Sequence, residues 1–322
     1  MGNVDISVII PAYNREMYIS KCLDSVLSQK DVSLEIIITD DGSTDKTLDV
    51  CKKYADLNPN IKVIHQENKG LATSRNTALD AATGDYITFI DSDDWITDGA
   101  FASMLKAIKE NDVDAVIGGF DRVQEDGQLM ERNTIPDDYK NQIVSEEIFW
   151  ELNSLKTSNY LFTVVWGKLF RHEIWKELRF GDGIRFAEDE YVLPELVKKC
   201  KTFFLLDQIV YNQTYSQGSL SRSAFDGNKL GSPESKLITC KYLIEKGLCE
   251  YAVEKWGIAV GEVILMTKLV NDDTTRKKVK ALGKEAARLG KSLAKYMDTK
   301  KKCKFLAFYI GYPIFSLIKI GR

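Results

Sequence analysis

The sequence predicts an α/β protein, with a mostly parallel sheet covered by helices on both faces and a helical C-terminal region. Short apolar runs alternate with amphipathic segments through about the first hundred residues, which is the pattern of strands and helices that build a parallel sheet. A helical region follows from about Pro233 to Tyr296. Of the 322 residues, 44% are hydrophobic, which is enough for a sizeable core.

Four apolar runs in the first hundred residues have the character of buried strands. They are Ile6–Ile10, Leu34–Ile38, Ile61–Ile64 and Tyr86–Ile90. The segments between them predict helices that begin after Asn14 as N-cap, after Ser43-Thr44-Asp45, and at Leu71. Because parallel sheets bind ligands beyond the carboxyl ends of their strands, the polar residues after each run are the first candidates for a site.

The cysteines and the N-terminus predict a cytoplasmic protein. None of the six cysteines forms a CxxC pair or alternates with histidine as in a zinc site, so we expect reduced thiols. Asp5 interrupts the early apolar stretch, which is too short for the core of a signal peptide.

The net charge of −3 hides an asymmetry along the chain. Residues 276–322 carry 14 Lys or Arg and 2 acids, or +12, which leaves −15 on the first 275 residues. Such a basic segment predicts an anionic partner, either a membrane surface or a nucleic acid. No nucleic-acid-binding fold or base-stacking pattern accompanies the charge, so we expect no nucleic acid and favour the membrane surface.

Asp91-Ser92-Asp93 directly follows the fourth predicted strand. Carboxylates one residue apart on a turn can face one hard cation, and oxygen ligands suit Mg²⁺ or Mn²⁺ with diphosphate oxygens in other positions. The alternative is a solvated acidic turn. The position after a buried strand, beside two more polar strand ends, favours the metal site.

Asp40-Asp41-Gly42-Ser43 follows the second predicted strand. Asp and Ser are frequent in turns and helix caps, and taken alone this segment would be interpreted as a cap. A carboxylate here would also accept the N3–H of a uracil ring, and Tyr13 after the first strand offers a stacking face.

Four segments occur in a specific order. They are Val8-Ile9-Ile10-Pro11-Ala12-Tyr13-Asn14, Asp40-Asp41-Gly42-Ser43-Thr44-Asp45, Gly70-Leu71-Ala72-Thr73-Ser74-Arg75-Asn76 and Asp91-Ser92-Asp93-Asp94. Together they resemble the family 2 glycosyltransferases, which are inverting enzymes with the Rossmann-like, A-type nucleotide-diphospho-sugar transferase fold. The resemblance covers about residues 4–120 in order and spacing.

The resemblance implies that seven positions bind the donor nucleotide and its metal. They are Pro11 and Tyr13 for the base pocket, Asp40 and Asp41 for uracil, Arg75 for the base or diphosphate, Asp91 for the ribose side, and Asp93 for the metal. The alternative for Arg75 is an exposed helix residue.

The second half contains Arg185-Phe186-Ala187-Glu188-Asp189-Glu190. The family places a catalytic carboxylate in a Glu-Asp pair about a hundred residues after the metal motif, and Asp189 lies 96 residues after Asp93. The resemblance therefore implies that Asp189 is the general base, which takes the proton of the acceptor hydroxyl. The alternative is an acidic helix start.

Two further segments resemble capsule, exopolysaccharide and lipopolysaccharide members of the family. They are Trp166-Gly167-Lys168-Leu169-Phe170-Arg171, and Tyr211 through Ser219-Leu220-Ser221-Arg222. Lys168 and Arg222 would neutralise the diphosphate, or they would fasten the acceptor loop.

Three parts are expected along the chain. Residues 1–232 would form the catalytic domain, with a nucleotide-sugar-binding half at 1–120 and an acceptor half at 121–232. A helical region at 233–298 and a basic, apolar tail at 299–322 would follow. The apolar stretch Phe305–Ile320 has 16 residues and contains Pro313, which is short for a membrane span. It would lie in the membrane interface, or it would be a final helix docked on the core.

The expected activity is transfer of a hexosyl or N-acetylhexosaminyl group from a UDP-sugar to a glycan or polyprenyl-linked hydroxyl in cell-surface polysaccharide synthesis. A cytoplasmic protein, peripheral on the inner membrane, would fit this role. Donors with GDP or dTDP are alternatives, as is a catalytically silent sugar-nucleotide-binding or scaffold protein. A nucleotidyltransferase would need a glycine-rich basic phosphate loop near the N-terminus, and Pro11–Arg15 is not one.

Overall fold

A computed structural model describes residues 4–155, 160–181, 183–215 and 227–315. The chain divides into two compact units. The first unit comprises Met1–Gly183 and Glu195–Ser223, and the second comprises Ile184–Pro194 and Ala224–Arg322. The domain boundaries expected from the sequence at residues 232 and 298 stay predictions.

The first unit is built on one sheet. In chain order its strands are β1 Ile6–Ala12, β2 Leu34–Asp40, β3 Ile61–His65, β4 Tyr86–Phe89, β5 Trp95–Ile96, β6 Ala115–Val123, β7 Leu129–Asn133, β8 Gln142–Ser145, β9 Lys168–Arg171 and β10 Thr202–Thr214. The four apolar runs of the N-terminal half are therefore strands, and two of them are longer than predicted: β1 reaches Ala12 and β2 reaches Asp40.

The strand order in the sheet is β3-β2-β1-β4-β9-β6-β10-β5, with β7 beside β6 and β8 beside β10. Strands β1 to β4 pair in parallel, as do β6 and β10. The short strand β9 runs antiparallel to both β4 and β6 and joins these two parallel groups into one sheet. The predicted α/β class, with a central sheet, surrounding helices and a helical C-terminal region, is confirmed.

Six α-helices lie wholly within the described part of the first unit. They are α1 Ile19–Leu27, α2 Thr47–Leu57, α3 Leu71–Leu79, α4 Ala100–Asn111, α5 Glu146–Ser154 and α6 His172–Trp175. Helix α1 packs as its apolar spacing predicts, since Ile19, Cys22, Leu23 and Val26 are all buried.

The predicted N-cap of α1 is wrong. The helix begins at Ile19 with Tyr18 as N-cap, whereas Asn14 lies four residues earlier in the left-handed region, with φ +52°. Asn14 Oδ1 instead accepts a hydrogen bond from the Thr44 amide at 2.8 Å, and the Asn14 amide donates to Ser43 Oγ at 3.0 Å. Asn14 therefore ties the turn after β1 to the turn after β2.

The second unit is helical. It contains the start of α7 Glu188–Lys199, followed by α8 Gly231–Glu245, α9 Cys249–Leu269, α10 Asp273–Leu293 and α11 Thr299–Phe315. The helical region expected from Pro233 to Tyr296 is thus confirmed. Helix α10 buries a stripe at helical spacing: Val279, Gly283, Ala286, Leu289, Gly290 and Leu293.

Up to Gly311, where its side chains are described, helix α11 buries one face against the rest of its unit. Phe305 and Phe308 are buried, and Phe305 contacts the Trp256 ring at a centroid distance of 5.8 Å. Gly290 lies so close to both rings that a side chain there would collide with them. In the described residues, no helix is long and apolar enough to cross a membrane.

Candidate active site

The polar strand ends lie at one edge of the sheet. Strands β2, β1 and β4 are parallel neighbours, with Ala12 paired to Asp40 and Ile9 paired to Phe89. The segments that leave these strands therefore emerge side by side, as expected for a ligand site beyond parallel strands.

Asp41 is buried and holds the loop between β3 and α3. Its Oδ1 accepts hydrogen bonds from Gln66 Nε2 at 2.7 Å and from the Lys69 amide at 2.9 Å. Its Oδ2 accepts one from the Gly70 amide at 2.8 Å. The side chain thus fixes the start of α3, the helix that carries Arg75.

Asp40 is fully buried beneath this turn. Its Oδ2 lies 2.7 Å from Nδ1 of His65, the residue paired with it on β3, and accepts the Ser43 amide at 3.3 Å. Among the residues that the structure describes, the second carboxylate oxygen, Oδ1, has no hydrogen-bond partner.

Arg75 lies in the interior. Its side chain is 1% exposed, which excludes the alternative of a surface helix residue. Nη2 donates to Asp91 Oδ1 at 2.9 Å, and the guanidinium lies 5.2 Å from the centre of the Phe180 ring. Phe180 stacks on Trp175, so an aromatic cluster positions the guanidinium that in turn holds Asp91.

Asp93 is mostly enclosed, and Arg15 Nε lies 3.4 Å from its Oδ2. Burial raises the pKa of Asp93; the Arg15 charge opposes this shift, and the Asp91 charge adds to it. The sequence does not indicate Arg15 as a site residue, because a lone arginine after Tyr13-Asn14 has no characteristic pattern.

Asp91 and Asp93 could hold a cation together with a ligand. Among residues with a described placement, no group of three or more His, Cys, Asp or Glu side chains forms a metal cage. Mg²⁺ and similar ions are commonly held by one or two carboxylates plus substrate phosphates and water. The two carboxylates fit that donor set and not a site made wholly by protein.

Asp94 and Tyr211 form a buried link behind the acidic turn. Tyr211 Oη donates to Asp94 Oδ2 at 2.8 Å and accepts from the Asp91 amide at 3.0 Å. The Thr214 amide donates to Asp94 Oδ1 at 2.7 Å. The Tyr211 ring stacks on Trp166, with centroids 4.5 Å apart.

This link connects β10 to the turn after β4, which is far away in sequence. Burial, then the Asp93 and Asp91 charges, raise the pKa of Asp94 well above its usual value. Tyr211 and Trp166 both lie in segments that resemble the family, but their stacking depends on the sheet order and could not be predicted.

Three other predicted positions lie in different surroundings. Pro11 is buried in β1, and Tyr13 beyond it is 44% exposed. Lys168 is buried, and its Nζ donates to the carbonyls of Leu161 and Val164 at 2.7 and 2.5 Å, which ties down the segment before β9. Arg222 lies outside the described residues.

Asp189 belongs to the second unit, in the first turn of α7. Ala187, two residues before Asp189, has a left-handed backbone, with φ +60°. The next residue, Glu190, is buried against lysines of the same unit.

Residues 7–179, more than half of the chain, match the sequence profile of the family described as "Glycosyl transferase family 2". The chain belongs to this family. The resemblance identified from the four ordered segments is thereby confirmed.

Two curated relatives are longer proteins that this chain matches over part of their length. Glycosyltransferase GlyA of Streptococcus pneumoniae is 31% identical over 316 residues, which are 95% of this chain and 44% of that protein. The poly(ribitol-phosphate) beta-glucosyltransferase of Bacillus spizizenii is 34% identical over 205 residues, which are 61% of this chain and 30% of that protein. The chain thus spans less than half the length of either relative.

The fold is also that of a solved family structure. Staphylococcus aureus TarS 1-349 in complex with UDP superposes with a TM-score of 0.72 at 20% identity, covering 97% of this chain and 92% of that chain. The complex of TarS 1-349 with UDP-GlcNAc gives 0.65 at 22% identity. This likeness establishes a shared fold.

Proposed function

We propose that the chain is an inverting glycosyltransferase that moves a sugar from a UDP-sugar to a hydroxyl of a glycan or polyprenyl-linked acceptor in cell-surface polysaccharide synthesis. The observation that carries the proposal is the acidic strand-end site, in which Arg75 holds Asp91 beside Asp93. The UDP and UDP-GlcNAc complexes of TarS support the donor, and the named poly(ribitol-phosphate) activity of one relative supports the pathway. The transferred group is a hexosyl or N-acetylhexosaminyl group.

In this proposal Asp41 accepts the N3–H of the uracil ring. Its Oδ2 accepts one hydrogen bond, from the Gly70 amide, and a carboxylate oxygen can accept a second. Tyr13, with its ring half exposed, stacks on the base, while Pro11 and the buried Asp40 support the pocket from behind.

Asp91 binds the ribose side, and Arg75 keeps it in place while adding positive charge near the diphosphate. Arg222 adds charge at the diphosphate. For Lys168 we propose the fastening role, because its ammonium group already donates to backbone carbonyls.

Transfer proceeds by a single displacement. The acceptor oxygen attacks the anomeric carbon while the bond from that carbon to the diphosphate oxygen breaks, and the nucleoside diphosphate leaves with the bonding electrons. Asp189 takes the acceptor proton, a role typically worth about 10²–10⁴-fold in rate. Mn²⁺ or Mg²⁺ held by Asp93 would supply positive charge for the departing diphosphate. The anomeric configuration inverts without a covalent enzyme intermediate.

A membrane surface is the proposed site of action. Helix α11 exposes Leu306, Tyr309 and Ile310 directly after the lysines at 300, 302 and 304, which are also exposed. Apolar side chains next to basic ones are the composition of a helix that lies in an anionic interface. A polyprenyl-linked acceptor would be found at the same surface.

The test is a panel of UDP-, GDP- and dTDP-sugars, with release of nucleoside diphosphate measured in Mn²⁺ and Mg²⁺. We expect a UDP-sugar to be consumed and Asp93→Ala to abolish its consumption, with Asp98→Ala as an exposed control five residues further on. A GDP- or dTDP-sugar as the substrate would correct the donor. Binding of a nucleotide sugar without turnover under any condition would favour the silent binding protein.

A further inference from the structure

The second unit contains a buried cluster of opposite charges next to Asp189. Glu190 Oε1 accepts from Lys255 Nζ at 3.1 Å, and Glu190 Oε2 lies 2.9 Å from Lys236 Nζ. Lys236 also reaches Glu262 at 3.2 Å, and Ser232 Oγ donates to that carboxylate at 3.0 Å. We call Glu190, Lys236, Lys255 and Glu262 the Glu190 cluster; its formal charge is zero.

A contribution to folding stability does not by itself account for a buried cluster of this kind. Removing charged groups from water carries a large desolvation cost, and well-packed apolar residues in place of a buried ion pair are often neutral or stabilising. Glu190 and Lys255 are each only 5% exposed. A network of this kind does, however, define one position for the backbone that carries it.

The backbone just before Asp189 is also held in place. It contacts α8, the helix that carries Lys236 of the Glu190 cluster. The Ala187 carbonyl accepts a hydrogen bond from Ser235 Oγ of α8 at 3.2 Å. Gly231, the first residue of α8, lies so close that any side chain there would collide with the Phe186 carbonyl oxygen. Ala187 itself keeps a left-handed conformation that costs energy for a residue other than glycine.

Asp189 therefore lies between two anchored points. On one side, Phe186 and Ala187 are held by α8, and on the other side Glu190 is held by α8 and α9 through Lys236 and Lys255. We propose that the Glu190 cluster is a positioning device that orients Asp189 for proton removal. This inference rests on the proposed function, in which Asp189 is the general base.

A base that is displaced by about 1 Å can lose about 10²-fold in rate, because proton transfer requires a near-attack geometry. Lys255→Met removes the hydrogen bond that Lys255 donates to Glu190. It should lower kcat by about 10- to 100-fold while the KM for the UDP-sugar is unchanged. Lys255→Arg, which keeps the charge, should restore most of kcat. Lys301→Met, which breaks the Lys301–Glu254 pair of the same unit, is the matched control and should keep the wild-type kcat.

A double variant separates positioning from stability. Glu190→Met with Lys255→Met removes both charges together, so it should unfold at the same or a higher urea concentration than Lys255→Met alone. Its kcat should nevertheless stay low. Recovery of kcat together with stability would mean that the cluster is only structural and would overturn the inference.

Asp189→Asn distinguishes a failure of the positioning role from a failure of the base assignment. If this variant loses turnover while Lys255→Met and the double variant keep the wild-type kcat, the positioning role is wrong and the base assignment remains. If Asp189→Asn keeps full turnover, the base assignment fails and the positioning inference fails with it. The expected result is a loss of turnover in Asp189→Asn and a lower kcat in Lys255→Met and in the double variant, with the KM for the donor unchanged.

Discussion

The hydroxyl of Tyr211 joins two acidic positions that are adjacent to the proposed donor site. It donates to Asp94 and accepts from the Asp91 amide, so one atom sets both the buried carboxylate and the backbone of the acidic turn. Arg75 holds the side chain of the same Asp91 from the other direction. The geometry of the turn thus depends on residues from α3 and β10 as much as on its own sequence.

Tyr211→Phe should destabilise the protein and weaken UDP binding. The change leaves the Asp91 amide without its acceptor and Asp94 with one donor fewer, which costs about 1–3 kcal/mol for groups of this burial. Urea unfolding should show a lower midpoint with an unchanged m-value. Titration calorimetry should show a weaker UDP affinity.

Tyr54→Phe is the control for that experiment. It removes a hydroxyl that donates to Asp24 at 2.8 Å on the surface of α2, away from the strand ends. We expect a smaller loss of stability and no change in UDP affinity. Wild-type stability and affinity in Tyr211→Phe would contradict the structural role of the hydroxyl.

At the scale of elements, the first turn of α7 carries a charge whose ionisation is linked to folding. Burial raises the pKa of Glu190, but the Lys255 and Lys236 charges outweigh it, so the pKa in the folded protein lies below its usual value. A carboxyl group with a lowered pKa contributes stability above its unfolded pKa, and this stability is lost as the pH falls through the folded pKa.

The free-energy difference between the wild type and Glu190→Gln should therefore depend on pH. The wild type should be more stable at pH 7, and the difference should shrink below about pH 4.3, the usual pKa of glutamate, as Glu190 becomes protonated. Equilibrium urea unfolding from pH 7 to pH 3 measures it. Glu195→Gln, which removes an exposed partner of Lys198 in the same helix, should show little difference at any pH. If the difference in unfolding free energy between the wild type and Glu190→Gln were the same at every pH, the charge of Glu190 would not contribute to stability.

At the scale of the whole molecule, positive charge is concentrated near the C-terminal end. Residues 276–322 carry +12, and α11 exposes apolar side chains beside its lysines. Each basic residue near an anionic membrane contributes about 1 kcal/mol, and this attraction weakens with salt. The chain should therefore bind anionic vesicles reversibly.

Co-sedimentation with phosphatidylglycerol-containing vesicles tests this prediction. We expect binding at low salt, less binding at high salt, and a clear loss when Leu306 and Ile310 are both changed to serine. Leu57→Ser, at an even more exposed apolar position on α2, should bind as the wild type does. If the variant with both Leu306→Ser and Ile310→Ser sediments with vesicles as much as the wild type does, α11 does not contact the membrane.

The α/β class, the four N-terminal strands and the acidic positions at their ends could all be predicted from the order of the amino acids. These follow from local rules, since apolar runs predict buried strands and parallel strands bring their carboxyl ends to one edge. The family was also accessible from short motifs. The motif at Asp189 predicts a general base, which stays a prediction, and the acidic helix start that α7 shows there is the alternative stated for it. The error at Asn14 came from the same local reasoning, because a residue that suits a helix cap can equally bond to a distant turn.

Which side chains those acidic positions contact depends on the folded arrangement of strands and helices. Arg15 lies against Asp93, Tyr211 reaches Asp94 across 117 positions, and Lys255 reaches Glu190 across 65. The periodicity of a sequence encodes which residues are buried, whereas such pairs depend on the order of strands in the sheet and on how helices pack. For that reason the acidic motif could be identified in advance, but not the arginine, tyrosine and lysines that hold these acids in place.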